Sequence, residues 1–332
     1  MSLSETNTSV VVPPSPIGRF WPRTFAFLID VLIVAVFGEI IGFAARAPLE
    51  NIHAWQRLVG FLIAGAYFVF LDSRVGRGQT LGKRLMNIAV VARDGAFIGA
   101  GRAGLRFSVL AAPIFANGLD LGSEPGRAIG TLLAVVVFGL GLSLAYLYVV
   151  NRHTRQSLHD LITDTFVCRV PVEGSGLSGH VWRGHFAIVG IICLIPLALG
   201  LAGSNLVGSD LKAHLADMRK VQAAALMVPG IWSASVLTQT QVFNSMSGPD
   251  RTTITNHFLI VTVRVDAHAG DDSAVARDVA QKVLQAAPDL LGQPALRISI
   301  LHGFDLGIAS ATRSYFDTKS AAGWQASQDS NL

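Results

Sequence analysis

Charge is scarce in this chain. Only 14% of its 332 residues are Asp, Glu, Lys or Arg, against about 25% in ordinary soluble domains, and this excludes a single soluble globular domain. Two cysteines in the whole chain exclude a disulfide scaffold and a Cys-rich zinc module. From residue 204 onward glutamate is absent and every acidic residue is Asp. Apolar residues are plentiful. At 51% hydrophobic and a mean hydropathy of +0.48, the chain is neither disordered nor collagen-like. What remains is an integral membrane protein with room for an attached soluble domain.

The charge is also uneven. Residues 1–183 hold 16 Lys and Arg against 11 Asp and Glu, whereas residues 184–332 hold 10 against 11. The excess of Arg lies beside apolar runs, which is a mark of membrane topology. No basic stripe with interleaved aromatics is present, so no nucleic-acid partner is expected.

Residues 1–18 read as a flexible tail ending in Pro13-Pro14-Ser15-Pro16, which can continue neither a helix nor a central strand. Five apolar stretches follow: Thr24–Ala45, Leu58–Leu71, Phe107–Leu121, Ile129–Val150 and Phe186–Ala202. The first is too long for a signal-peptide core and carries Asp30, so it reads as a retained spanning helix. Trp55 and Tyr67 read as interface anchors of the second. The third is weak, with Pro113 and Asn117 inside it. The loop 72–106 carries seven Lys and Arg and the loop 151–185 carries four Arg. Both are cytoplasmic by the positive-inside rule, provided the weak third stretch crosses fully. The expectation is five spans in the cell membrane, N-terminus inside and C-terminus outside. Leu85–Arg93 and Thr165–Val170 are strand-like and lie in the two basic loops. With the Asp94-Gly95 turn signal, they are expected to pair as a small sheet.

Residues 204–332 read as a soluble α+β domain of extracytoplasmic location. A helix over Asp210–Met227 is followed by strands Trp232–Phe243 and Phe258–Val265, a helix over Asp272–Ala287 capped by Asp272 or Ser273, and strands Ala295–Leu301 and Ile308–Tyr315. Asp250, Asp271 and Asp272 are at expected turn or cap positions. The division is therefore a tail over 1–18, a membrane domain over 19–170, a linker with the fifth span over 171–203, and the soluble domain over 204–332.

Asp30 is the most informative residue. A carboxylate in a spanning helix must face the bundle, find a partner or stay protonated. Arg23 lies seven residues earlier on nearly the same helix face but about 10 Å away along the axis, so Arg102 or Arg106 from another segment is an alternative partner. Both a proton or cation site and a structural ion pair fit. Glu39 lies on the opposite face near the exported end. Gly38-x-x-x-Gly42 and the small pairs Gly60/Ala64 and Gly139/Ser143 read as helix-packing surfaces. Gly78-Gln79-Thr80-Leu81-Gly82-Lys83-Arg84 fails as a phosphate loop. Arg77 stands where the first glycine belongs, and Arg84 where Ser or Thr belongs. Lys83 and Arg84 read instead as a basic turn facing lipid headgroups. Asp160 reads as a helix N-cap or an Arg partner at the membrane edge. His153/His159 and His180/His185 lack the accompanying ligands of a zinc site. No nucleophile motif is present, so no enzyme activity, cofactor or metal is expected.

The combination and order of these residues resemble the RDD family of membrane proteins, named for one arginine and two aspartates. Arg23 and Asp30 lie in Pro22-Arg23-Thr24-Phe25-Ala26-Phe27-Leu28-Ile29-Asp30, the Gly78–Leu85 stretch follows, and Asp160 maps to the second aspartate in Leu158-His159-Asp160-Leu161. The resemblance covers about residues 17–170 and implies a membrane domain of undefined molecular role, with transport suggested for some members. Two functions are compatible. One is a platform or scaffold that presents an exported domain to a protein or small-molecule ligand. The other is a transporter, or transport accessory, that uses Asp30. The bilayer is a partner in both, and homo-oligomerisation is compatible with either.

Overall fold

The computed structural model describes residues 17–119, 127–170, 177, 179–206, 208–245, 252–288 and 295–329. Most of the tail 1–18 and the turn at Asp250 lie outside the described residues. Among those described, four helices are long and apolar enough to cross a membrane: Phe20–Ala44, His53–Asp72, Ala128–Val150 and Gly184–Gly203. They form from α1 (Phe20–Ala44), then α2 (Arg46–Asn51), then a 3-10 turn continued by α3 (Gln56–Asp72). The third is α6 (Arg127–Ala134), a π-helical turn (Val135–Leu140) and α7 (Gly141–Val150), and the fourth is α9 (Gly184–Leu206). Pro22 falls in the first turn of α1, where its missing N–H costs nothing. The expected third span differs. It is α5, Ala100–Ala116, 17 residues long. It starts earlier than its apolar run because Arg102 and Arg106 find partners and continue the helix. At about 25 Å it is short for a hydrocarbon core.

The chain divides into two compact units that interleave in sequence. One comprises Met1–Leu32, Gly65–Leu110 and Ser143–Ile188, the other Ile33–Ala64, Ala111–Leu142 and Val189–Leu332.

In the first unit, β1 (Ile88–Ala92) pairs antiparallel with β2 (Thr165–Arg169). This is the sheet expected from the two basic loops. Every β1 residue is buried, and Val90, Ile88 and Val167 pack with Ala26 of α1 and Ala103 of α5. Gly18 N–H donates to the Val167 carbonyl at 2.7 Å, which ties the entrance of α1 to the sheet edge. Two single-turn helices, α4 (Leu81–Leu85) and α8 (Leu158–Ile162), precede the two strands.

The second unit contains the soluble part. Helix α10 (Ser209–Ala225) leads to β3 (Ile231–Ser245), β4 (Thr252–Val265), α11 (Asp272–Ala286), β5 (Ala295–Asp305), β6 (Ser310–Lys319) and α12 (Ala321–Asp329). The sheet order is β3-β4-β5-β6. β4 and β5 are parallel, as the crossover through α11 requires; the outer pairs are antiparallel. Val261, Val263, Ile298 and Ile300 face Val275, Val279 and Val283 of α11 and Val221 of α10 in one core. The N-cap of α11 is Asp271, which accepts from the backbone of Ser273 and Ala274, and not Asp272 or Ser273 as expected. The local reason is that Asp271 is two and three residues from those N–H groups, the reach of a cap side chain. Helix α12 was not expected. It is held by Trp324, fully buried, whose Nε1 donates to the Leu296 carbonyl at 3.0 Å.

A separate apolar cluster in the same unit joins Leu49, Phe304 and Leu306. Here the β5–β6 turn meets α1 and α3 at their glycines. A Cβ on Gly42 would stand 2.1 Å from the Phe304 ring, and one on Gly60 would stand 1.8 Å from the Leu306 carbonyl oxygen. Gly38 likewise faces Ala309 and Ile308. These small residues therefore receive the hairpin tip and not a neighbouring span, which corrects the helix-packing expectation for Gly38, Gly42 and Gly60. Gly139 does pack against a span, at Cys193 of α9.

Candidate functional site

The charged residues of the first unit assemble around α8. Gln156 and Ser157 hold its entrance, and a capping box joins Ser157 to Asp160 at position N3. This box directs the Asp160 carboxylate inward, where it is fully buried. Two guanidiniums meet it. Arg23 Nη2 reaches Asp160 Oδ2 at 2.7 Å, while Arg106 donates from Nη2 at 2.8 Å and from Nε at 3.1 Å to Oδ1. Arg23 also donates to the Arg155 carbonyl. Arg106 continues to Asp72 Oδ2 at 2.9 Å, and the other oxygen of Asp72 takes the Lys83 ammonium at 2.5 Å. Three cations and two carboxylates thus form one chain, Arg23–Asp160–Arg106–Asp72–Lys83. Every member is buried. Removing one partner from such a chain leaves an uncompensated buried charge, at a cost of about 3–5 kcal/mol.

Asp30 belongs to a neighbouring, uncharged cradle. Its Oδ1 accepts from the Tyr67 hydroxyl at 2.7 Å and from the Gly82 backbone N–H at 2.8 Å. Its Oδ2 accepts from the Thr80 hydroxyl at 2.5 Å. Thr80 is the N-cap of α4 and also accepts from Lys83 N–H. Gly82 permits the approach, since a Cβ there would meet the Ala26 carbonyl oxygen at 2.1 Å. The arrangement corrects several expectations. Asp30 pairs with none of Arg23, Arg102 or Arg106. Arg102 donates to the carbonyls of Thr163 and Asp164. Tyr67, expected as an interface anchor, donates its hydroxyl to Asp30. Lys83 is buried on Asp72 and does not face headgroups, although Arg84 beside it is exposed.

Burial pushes the His159 imidazole down to about 3, aided by the Arg106 and Arg23 charges. The ring is neutral, so Nε2 accepts from Arg106 at 3.1 Å and Nδ1 carries the proton. Nδ1 has no hydrogen-bond partner among the described residues. Burial opposes ionisation of Asp160, but the Arg106 and Arg23 charges outweigh it and hold the carboxyl far below the usual range. Burial lowers Lys83, against the attraction of Asp72. Among the described residues, no group of three or more His, Cys, Asp or Glu side chains is placed to hold a metal ion.

The residues brought together are Arg23, Asp160 and Lys83 in the ion chain and Asp30 beside it. Asp72 was missed. Its signal was position alone: an acid ending an apolar stretch, immediately before an Arg-rich loop. Residues 17–164 match the model of the RDD family. This segment is similar to the membrane domains of the RDD family. A curated relative, the uncharacterized protein YckC of Bacillus subtilis (strain 168), is 28% identical over 148 residues, covering 45% of this chain and 82% of that protein. The match leaves the part after α9 outside the matched segment and ends just beyond α8, so Arg23, Asp30 and Asp160, the residues that carry the resemblance, all fall within it.

Proposed function

We propose that the protein is a non-enzymatic membrane platform. Its RDD domain is a rigid base, and the domain after α9 lies outside the cytoplasm and binds a protein or small-molecule ligand. One observation carries this reading: the signature charges are consumed by intramolecular bonds. Both oxygens of Asp160 are taken by guanidiniums, and both oxygens of Asp30 are taken by hydroxyl and backbone donors. Such closure serves rigidity better than ion passage. The core of the soluble part lends support, because it is built from its own residues, Val221 to Trp324. The orientation follows from the basic loops between spans, with α5 counted as a fifth crossing, the N-terminus inside and the C-terminus outside.

A second reading keeps one specific support. Asp30 is a carboxylate buried inside a candidate span, and among the described residues no cation is bonded to it, the kind of intramembrane group that marks ion pathways. Flux decides between the two. In proteoliposomes under imposed proton and sodium gradients, the platform reading expects wild type and Asp30→Asn to match empty vesicles. Wild-type flux abolished in Asp30→Asn would establish transport.

A further inference from the structure

In the second unit, a cleft of about 590 Å³ lies beside the β5–β6 tip. Its polar end holds Arg57, Asn117, Asp305 and Ser310, and its apolar end holds Ile114, Val137 and Ile308. Val137 belongs to the π-helical turn Val135–Leu140, the widened geometry that recurs at functional sites in helices. Across from it, Pro113 interrupts the interior of α5. Both Ile114 and Phe138, on the flanks, are about half exposed or more. Phe138 lies in the candidate span Ala128–Val150, where an exposed apolar surface faces hydrocarbon, so this side of the cleft opens to acyl chains.

The polar end is charge-balanced. Arg57 Nη2 pairs with Asp305 Oδ2 at 2.7 Å, and Nη1 donates to the Ile114 and Asn117 carbonyls at the end of α5. The Asn117 amide and the Ser310 hydroxyl are exposed and line the cleft with Arg57. These are donors suited to phosphate and ester oxygens, while the Asp305 carboxylate, whose Oδ1 also accepts from the Gly307 N–H at 2.9 Å, keeps lone pairs that suit an ammonium. A balanced end of this kind does not select a net anion.

We propose that this cleft seats one zwitterionic glycerophospholipid of the phosphatidylethanolamine type. Its phosphodiester lies among Arg57 Nε, Asn117 and Ser310, its ammonium beside Asp305, and an acyl chain against Val137 and Ile114. The lipid contacts the hairpin tip through Ile308 and so joins the soluble part to the spans.

The test uses the full chain in phosphatidylcholine vesicles with two probes that share a diazirine-bearing acyl chain, one phosphatidylethanolamine and one phosphatidylglycerol. Cross-linked peptides are mapped by mass spectrometry. The expected result is phosphatidylethanolamine label concentrated at Ile114 and Val137, at least about threefold above the exposed α9 residues Leu194 and Leu199 and about threefold above the phosphatidylglycerol probe. Val137→Trp fills the apolar end and should cut this label about tenfold. Ile114→Trp, at a half-exposed site, should do the same where Val137→Trp does not melt cooperatively. Soluble glycerophosphoethanolamine in excess should not compete, since the acyl chain supplies much of the contact. Even labelling over all exposed apolar faces, equal labelling by both probes, or labelling unchanged in the Trp variants would overturn the proposal. Competition by the soluble headgroup would likewise overturn a lipid occupant.

Discussion

Arg23 and Asp160 lie 137 positions apart in the chain, and their side chains meet at 2.7 Å in a buried ion pair. The pair closes the start of α1 onto α8, and Arg106 extends it to Asp72 and Lys83. The arginine and the second aspartate on which the RDD resemblance rests are thus two ends of one bond. The first aspartate, Asp30, stands apart with neutral donors.

This bond is expected to hold the membrane domain together. Asp160→Ala leaves two buried guanidiniums without their carboxylate and should cost about 3–5 kcal/mol. Arg23→Gln leaves Arg106 still paired and should cost less. Thermal unfolding of the full chain in detergent reads both. A wild-type melt for Asp160→Ala would contradict the clamp.

Asp30 should behave differently, because its partners are not charged. Asp30→Leu strips an acceptor from Tyr67, Thr80 and Gly82, with about 1–3 kcal/mol lost for each buried donor that finds no replacement. Asp30→Asn keeps one acceptor oxygen and should be the milder change. The ranking in the same detergent melt checks this. Equal and wild-type-like stability of both variants would mean that the cradle contributes nothing.

The acid limb of stability should report His159. Folded, its imidazole is held at about 3, chiefly by burial; unfolded, a histidine titrates near about 6.5. Between those values the unfolded chain binds the extra proton. Stability is therefore present above about 6.5 and falls as pH drops, by at most about 1.4 kcal/mol per pH unit. Asp160, with its folded pKa depressed, adds loss in the same direction only below the ordinary carboxylate range. Melts at a series of pH values between about 4.5 and 6.5 should slope less in His159→Gln than in wild type. Parallel slopes would place a neutral, buried His159 in doubt.

Much of this architecture is legible in the residues alone. β1 and β2 announce themselves by apolar β-branched runs and the Asp94-Gly95 turn, and they pair as their positions suggest. The soluble part is readable because Val261, Val263 and Val265 alternate, while Val275, Val279 and Val283 follow helical spacing. What escapes has a common cause: it depends on partners far along the chain. Local periodicity says nothing of which acid an arginine meets: Asp160 and Asp72 take Arg23 and Arg106, the carbonyls of Thr163 and Asp164 take Arg102, and none is left to Asp30. Gly42 and Gly60 look like span-packing glycines, and only the position of Phe304 and Leu306 reveals that they receive a hairpin tip. Helix α12 is short and mostly polar, and the side chain that anchors it, Trp324, gives no period to read.

The glycine notches make a separate prediction. Gly60→Val places a branched side chain where the Leu306 carbonyl lies and should cost about 1–3 kcal/mol as overpacking. It should also speed protease cleavage of the β5–β6 tip in the full chain. Cleavage and melting unchanged from wild type would mean that the tip is not seated on α3.

Orientation can be read by labelling. In a cysteine-free background, a cysteine at Arg93 should be shielded from an impermeant maleimide in intact cells and one at Lys220 should react; both side chains are more than half exposed. The reverse pattern would invert the topology.

The platform reading rests on a soluble domain that folds by itself, so the most direct measurement is the cooperative unfolding of residues 208–332 expressed alone. Phe304 and Leu306 would lose their cover from α1 and α3, so a Phe304→Ser/Leu306→Ser form is measured beside the native sequence. Circular dichroism should follow one cooperative transition for the variant without detergent, since the core from Val221 to Trp324 is complete within the fragment. A non-cooperative melt of both forms, or aggregation of both that only detergent reverses, would show that the domain depends on the spans and would contradict the account.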